Sequence, residues 1–468
     1  MDAVVCQGCR ERDARIAGLE ARVRELEEQV RELLARLNQN AGNSSIPPST
    51  NPPGAAKPVV KKATGRKPGG QPGHPGHRRR RLPPERVTQT VPFVPPQCEG
   101  CGAPLPAQAG ANDPEPTWHQ VVEIAPTPVE VTEYQGHGRR CAGCGHVTWA
   151  RIPREFLRHT VGTRLAAFMS YLSGSFHVSK RGLREIVAGL FDVPVSLGTV
   201  CHVEAEMSAA LAPVHAEAQQ AVQAAATKNV DETGWKQAGK LCWLWTAATT
   251  TVACFLIHAR RGAVGLTALL GETIHGLVTS DRWSAYAKLL SVERRQVCWA
   301  HLKRDFQKLI DRGGAALPLG TSLQAVAEKL FHAWHTFRGG GLDRAGLQQE
   351  IAPLRVELRQ TLESGCGCAD GKAATLCRNL LALEPALWTF AAYEGVAPTN
   401  NHAERVLRRG VLWRKNAFGC HSAAGCRFVE RILTVVQTRR LQQRNVLEFL
   451  VQSLSAHRAG LPSPRLIG

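Results

Sequence analysis

A chain of 468 residues, 43% hydrophobic and 21% charged, can bury a sizeable core, which excludes a wholly disordered polypeptide. Its 58 Lys and Arg against 39 Asp and Glu leave a net charge of +19, which implies an anionic partner, nucleic acid first among them. No apolar run approaches the roughly 18 residues of a membrane span. The N-terminal MDAVVCQGCRERD has no signal-peptide core either, so the expected location is the cytoplasm, in association with the nucleoid. In that reducing compartment C-x-x-C pairs among the 15 cysteines point to metal rather than disulfide.

Residues 1–38 predict a coiled coil. Ile16, Leu19, Val23, Leu26, Val30, Leu33 and Leu37 alternate spacings of three and four. β-Branched residues at the first a positions with Leu at d favour a parallel homodimer, in which Arg15 and Arg22 face Glu20 and Glu27 of the partner chain. Residues 39–84 are rich in Pro, Gly, Ser and Asn and hold no acidic residue, the composition of a disordered basic linker. Its basic residues include Lys57, Lys61, Lys62, Arg66, Lys67, Arg78, Arg79, Arg80 and Arg81; the arginine run suits phosphate contacts without sequence readout. Over 85–155, Cys98-x-x-Cys101 and Cys141-x-x-Cys144 offer four thiolates to one structural Zn²⁺, and HQVVEI and VEVTEY between them alternate like the short strands of a zinc ribbon. Cys6-x-x-Cys9 is a single pair and cannot close such a site alone. Residues 156–226 read as helical, with a turn around Val193-Pro194 and a second helix starting near Ser196, the outline of a helix-turn-helix that would bind DNA.

Beyond Lys228 the period changes. KNVDETGWK, LCWLWTAATT and TVACFLIHA read as three successive strands, AVGLTALL as a helix, GLVTSDRWSAY as a strand ending at Asp281, and RRQVCWAHLKRDF as a strand running into a helix. That order over 227–302 is the first part of a ribonuclease-H-like α/β catalytic core, whose metal ligands lie on the first strand and at the end of the fourth. Asp231 and Asp281 occupy those places. Breaking a phosphodiester requires an activated nucleophile and an offset phosphate charge, and two Mg²⁺ ions roughly 4 Å apart on hard oxygen ligands provide both. Glu232 rivals Asp231, but neighbours on a strand point to opposite faces.

Residues 303–398 are expected as a helical insertion and 399–455 as the last helices of the core. In TNNHAERVLRRGVLWRKNAFG, Asn401, Glu404 and Arg408 share one helix face, so Glu404 can serve as a third metal ligand while Asn401 and Arg408 approach DNA phosphate. Taken alone, ERVLRR reads better as a solvated helix face.

Six segments in order carry a resemblance: NSSIPPST at 43–50, RKPGGQPGHPGH at 66–77, VDETGWK at 230–236, TSDRWSAY at 279–286, CWAHLKRDF at 298–306 and NNHAERVLRRGVLWRKNAFG at 400–419. On these the chain resembles the transposases of insertion-sequence family sixty-six (IS-66 type), in the Asp-Asp-Glu superfamily. The resemblance implies that Asp231, Asp281 and Glu404 are the catalytic acids and bind Mg²⁺. It further implies that the substrate is double-stranded DNA at element ends and target, and that small accessory proteins assist. Thr399 stands where members often have Asp, and Cys366, Cys368 and Cys377 match no motif and are expected to pack. A DNA-binding regulator, or a nuclease of the same fold that cuts without joining, are the competing readings.

Overall fold

The computed structural model describes residues 7–37, 81–108, 110, 113–123 and 129–468. Most of the linker expected over 39–84, with Arg78, Arg79 and Arg80, lies outside the described residues, as do Cys6 and the side chains of Cys9, Leu33 and Leu37. The chain divides into two compact units, residues 59–132, and residues 1–58 with 133–468.

In the smaller unit the described residues form one short 3-10 turn, Pro84–Arg86, and are otherwise irregular apart from an isolated bridge. The Gln120 amide exchanges hydrogen bonds of 2.8 and 3.1 Å with the backbone of Leu82, and a bridge between Gln97 and Pro104 closes the turn around Cys98 and Cys101. HQVVEI and VEVTEY were expected as strands, yet no strand forms there among the described residues. Both alternate correctly, but alternation makes a strand only where a second strand lies alongside to complete the ladder.

In the larger unit α1 (Gln7–Leu37) exposes the described part of the heptad seam. Ile16, Leu19, Val23, Leu26 and Val30 are 44–59% exposed, an apolar stripe without cover among the described residues. The antiparallel pair β1 (Gly138–Arg140) and β2 (Val147–Trp149) frames Cys141 and Cys144. Five helices follow: α2 (Arg154–Leu157), α3 (Thr163–Phe176), α4 (Lys180–Phe191), α5 (Leu197–Ala210) and α6 (Ala212–Ala224). Ser179 caps α4 by accepting from Gly182, Asp192 ends it in a left-handed conformation, and Ser196 caps α5 by accepting from Thr199. The turn at Val193-Pro194 lies between those caps.

The sheet is mixed. Its strands are β3 (Thr227–Gln237), β4 (Lys240–Ala248), β5 (Ala253–His258), β6 (Leu277–Ser280) and β7 (Arg295–Val297), in the order β5-β4-β3-β6-β7. The pairs β3–β4 and β4–β5 are antiparallel, whereas β3–β6 and β6–β7 are parallel. α7 (Ala263–Leu270) and α8 (Ser284–Ala287) connect them. Next, α9 (Trp299–Arg312), α10 (Ala316–Arg338), α11 (Arg344–Gly365), α12 (Gly371–Ala382), α13 (Glu384–Leu387) and α14 (Thr389–Ala392) enclose a second core around Leu302, Phe306, Leu323, Leu330, Leu358 and Phe390. Cys377 is buried in it, with Cys366 and Cys368 packed alongside. α15 (Asn401–Ala417), α16 (Ala423–Leu441) and α17 (Val446–Arg458) then return to the sheet's own core through Val406, Leu407, Ile432, Leu433 and Leu450. No helix among the described residues is long and apolar enough to cross a membrane.

An edge strand leaves alternate N–H groups without a ladder partner. On β5 they are taken by α16. Ala253 N–H donates to Thr438 Oγ1 at 3.0 Å, Phe255 N–H to Thr434 Oγ1 at 3.0 Å, and Ile257 N–H to Glu430 Oε1 at 2.6 Å. The match is geometric: four helical residues advance about 6 Å and two strand residues about 6.6 Å. Glu430, Thr434 and Thr438 are all buried, so each polar group depends on its partner. Thr434→Val keeps the volume and removes the acceptor, and should lower unfolding stability by about 1–3 kcal/mol. Thr434→Ser should cost less. Urea midpoints measure both, and an unchanged midpoint for the valine variant would show that this bond contributes nothing.

Candidate active site

Asp231 lies on β3 and Asp281 directly follows β6. These strands run parallel with Asn229 opposite Thr279, so each acid stands two residues beyond the same registered pair. Glu404 sits in the first turn of α15. Asn400, fully buried at the start of that helix, sets its position. Its Nδ2 donates to the Val230 carbonyl at 2.8 Å, its Oδ1 accepts from Asn229 Nδ2 at 3.0 Å, and its backbone N–H donates to Cys298 Sγ at 3.1 Å. Cys298 N–H in turn donates to the Ser280 carbonyl at 2.9 Å, and Asn400 C=O accepts from Glu404 N–H at 3.2 Å. The residues that precede Asp231 and Asp281 are thus tied to the turn that carries Glu404.

The electrostatics follow from that convergence. Asp231 is held well above the usual carboxylate range, first by desolvation and then by the charges of Glu232, Glu404 and Asp281. Its Oδ1 accepts from Glu232 N–H at 2.9 Å, and Asp281 Oδ1 accepts from Trp283 N–H at 2.9 Å. No Lys or Arg pairs with Asp231, Asp281 or Glu404 among the described residues. Converging carboxylates, one of them desolvated, without a basic partner fit a hard divalent cation, which oxygen donors prefer and which would relieve their repulsion.

By sequence Glu232 was weighed only as a rival to Asp231, and His301 was not singled out. Glu232, opposite in direction to Asp231, is buried rather than solvated. Its Oε1 accepts from Arg261 Nε and Nη2 at 3.0 and 2.8 Å, and its Oε2 from Tyr286 Oη at 3.1 Å. The Arg261 guanidinium lies 4.7 Å from the Trp243 ring centre and 4.1 Å from that of Trp283. Burial, then the charge of Asp281, raises the Glu232 carboxyl against the opposing pull of Arg261. His301, on the first turn of α9, brings Nδ1 to 3.7 Å from Glu404 Oε1, and that buried nitrogen has no hydrogen-bond partner. Cys298 lies in the same group within 4.8 Å, but burial pushes its thiol up to about 11, leaving it a neutral acceptor for Asn400. The sequence signal for His301 was present, three residues after Cys298 in CWAHLKRDF.

Asn401 and Arg408 are exposed on α15. In the smaller unit the Arg81 guanidinium lies 5.7 Å from the Trp118 ring centre. The two C-x-x-C turns have the same local form. Cys98 N–H donates to Ala103 C=O and Gly102 N–H to Cys98 C=O, both at 2.8 Å; Cys141 N–H donates to His146 C=O at 2.8 Å and Gly145 N–H to Cys141 C=O at 2.9 Å. Gly102 and Gly145 take φ of 75° and 73°. The Cys98 thiol is lowered by the backbone N–H groups of Cys101 and Gly100, and the Cys141 thiol by those of Cys144 and Gly143.

Residues 5–80 match a family of unknown function, DUF6444. A relative from Sinorhizobium fredii (strain NBRC 101917 / NGR234), the uncharacterized protein y4qI, is 30% identical over 246 residues, 48% of this chain and 45% of its own length. The chain therefore spans less than half of that relative. Residues 158–427 match the family described as Transposase IS66 family. That match covers more than half of the sequence and runs from before the sheet to beyond Glu404, and on it the chain belongs to the IS66 family of transposases.

Proposed function

We propose that the chain cuts and joins double-stranded DNA at element ends and target, using Asp231, Asp281 and Glu404 as catalytic acids. The observation that carries this reading is the placing of Asp231, desolvated on β3, and Asp281, just past the end of the parallel strand β6, each two residues beyond one registered pair, with the Glu404 charge also acting on Asp231 and no Lys or Arg paired with any of the three among the described residues. The strand order, three antiparallel and then two parallel, supports a ribonuclease-H-like core with α9–α14 as its helical insertion. Mg²⁺ held by the three acids would activate the attacking oxygen and offset the charge of the scissile phosphate. The chain's own residues bind and orient. Asn400 fixes the turn bearing Glu404, His301 lies beside its carboxylate, and Asn401 and Arg408 on the same helix reach DNA phosphate. The helices α4 and α5, the basic linker with Arg78, Arg79, Arg80 and Arg81, and a zinc ribbon built on Cys98, Cys101, Cys141 and Cys144 supply DNA contacts. The α1 seam joins two copies, small accessory proteins complete the assembly, and the work takes place at the nucleoid.

Asp231→Asn, Asp281→Asn and Glu404→Gln should each reduce Mg²⁺-dependent nicking and strand transfer by orders of magnitude while DNA binding survives, with losses that do not add. Full strand transfer by Glu404→Gln would move the third ligand elsewhere. Nicking without any joining by the unaltered chain would favour a nuclease. Glu232→Gln, which preserves volume, should retain more activity than Asp231→Asn. Glu232→Ala is a poorer comparison, because it strips a buried partner from Arg261 and Tyr286 and should cost stability.

Both C-x-x-C turns present paired thiols with backbone N–H groups directed at the first sulfur, as thiolate ligation requires. The full chain purified without chelator should carry about one Zn²⁺. Cys98→Ser and Cys141→Ser should each abolish it by elemental analysis, and a metal-free wild type would sink the ribbon.

For the seam, Leu26→Asp places a charge in the stripe and should lower the mass seen by light scattering. An unchanged mass would mean that α1 does not hold copies together.

A further inference from the structure

A groove of about 420 Å³ lies between the far end of β3 and the C-terminal end of α15, lined by Gly234, Trp235, Lys236, Leu241, Arg414, Lys415 and Phe418. Phe418, the residue that ends α15, is 75% exposed, and Leu241 on β4 is 62% exposed. The phenylalanine is held out deliberately by the backbone. It ends α15 in a left-handed conformation, φ 58° and ψ 5°, which a bulky side chain seldom adopts, with its N–H donating to Arg414 C=O at 2.8 Å. Immediately after it, Cys420 N–H donates to Lys236 C=O and Ala238 N–H to Cys420 C=O, each at 2.8 Å, so the segment is zipped onto the end of β3. Gly419, at φ 119°, permits that approach, since any Cβ there would collide with the Lys236 carbonyl. Arg414 closes the floor by donating to Thr233 Oγ1 at 3.0 Å and Gly234 C=O at 2.7 Å.

The surroundings select the occupant. Lys236 and Lys415 in the groove's lining, and Lys240 next to Leu241 in sequence, are exposed, and none has an acidic partner among the described residues. An apolar peptide has no use for three uncompensated cations, whereas a nucleotide offers a π-face to the ring and a phosphate to the amines. A duplex hides its base faces in the stack, so the complement of a protruding ring is an unpaired base. Along β3 the groove begins at Gly234, three residues from Asp231 or about 10 Å, which is roughly three base steps. We propose that this groove takes one unpaired base of the DNA strand engaged at the acids, with Phe418 stacking on the base and Lys236 and Lys415 meeting its phosphate. The proposal rests on the reading of the chain as a DNA-cutting and -joining enzyme.

The test compares the full chain's affinity, in EDTA, for a fluorescein-labelled random-sequence duplex with blunt ends and the same duplex ending in a short unpaired 3′ tail. The unaltered protein should bind the tailed probe more tightly. Phe418→Ala and Phe418→Leu should lose roughly tenfold on the tailed probe while blunt binding is unchanged, and Phe418→Trp should keep the preference. Lys415→Gln should flatten the salt dependence for the tailed probe. Unchanged thermal unfolding of the variants excludes loss of fold. If Phe418→Leu binds the tail as well as the wild type, the ring is an apolar filler and stacking is wrong. A fall in mass by light scattering in Phe418→Ala, with DNA affinities intact, would assign the groove to a second copy of the chain and overturn the proposal. Equal binding of both probes by the unaltered protein overturns it while leaving the parent reading standing, and binding of neither overturns both.

Discussion

A single buried amide holds the candidate site together. Asn400 spends its side chain on Asn229 and Val230 and its backbone N–H on Cys298, and those bonds reach segments 171, 170 and 102 residues away. Each partner is adjacent to something that matters: Val230 precedes Asp231, and Cys298 is bonded to Ser280, which precedes Asp281. A buried amide that met only some of its partners would cost more than an apolar residue there. The acids therefore share one geometry because the residues beside them share one hydrogen-bond network. Thr399, the departure from the family pattern, lies next to this network but contributes none of its bonds.

That arrangement accounts for how the chain tolerates a helical lobe between its second and third acids. The cost of closing a loop grows only with the logarithm of its length, so the lobe adds little beyond what a short connection would cost. Having its own core, it folds on its own contacts and leaves the tie between α15 and β3 to local bonds. α15 is fixed at both ends, by Asn400 at its start and by Arg414 and the Cys420 backbone at its finish. Glu404 thus rides on a helix clamped along β3. Beneath it, Glu232, Arg261 and Tyr286 compensate one another, which leaves the uncompensated negative charge to Asp231, Asp281 and Glu404.

Much of this was legible in the residues. Alternation and apolar runs marked β3, β4 and β5, the break at Ser280-Asp281 marked the end of β6, and Ser196 announced α5 by its capping chemistry. What failed to show had physical reasons. Face periodicity drew attention to Asn401 and Glu404 on α15 and said nothing of Asn400, which precedes the helix and is tied to β3 by bonds to residues some 170 positions away. Glu232 read as the outward neighbour of Asp231, because strand alternation says nothing about an arginine supplied by a loop 29 residues on. HQVVEI and VEVTEY alternate well and still form no strand among the described residues, since pairing depends on an edge that local sequence cannot supply.

The sealing of the sheet was equally hidden, because Glu430, Thr434 and Thr438 look like ordinary helical polar residues until β5 is placed beside them. At the opposite edge Thr389 Oγ1 donates to the Arg295 carbonyl at 2.5 Å, so helical side chains blunt both borders. This fixes what damage to the gene would do. A reading frame broken between Glu404 and Ala423 leaves Asp231, Asp281 and Glu404 in the product, but bares the N–H groups of Ala253, Phe255 and Ile257 along an apolar edge strand. Such a fragment is a template for fibrous aggregation rather than a weakened enzyme, and the integrity of a copy is read at its last helices before it is read at its acids.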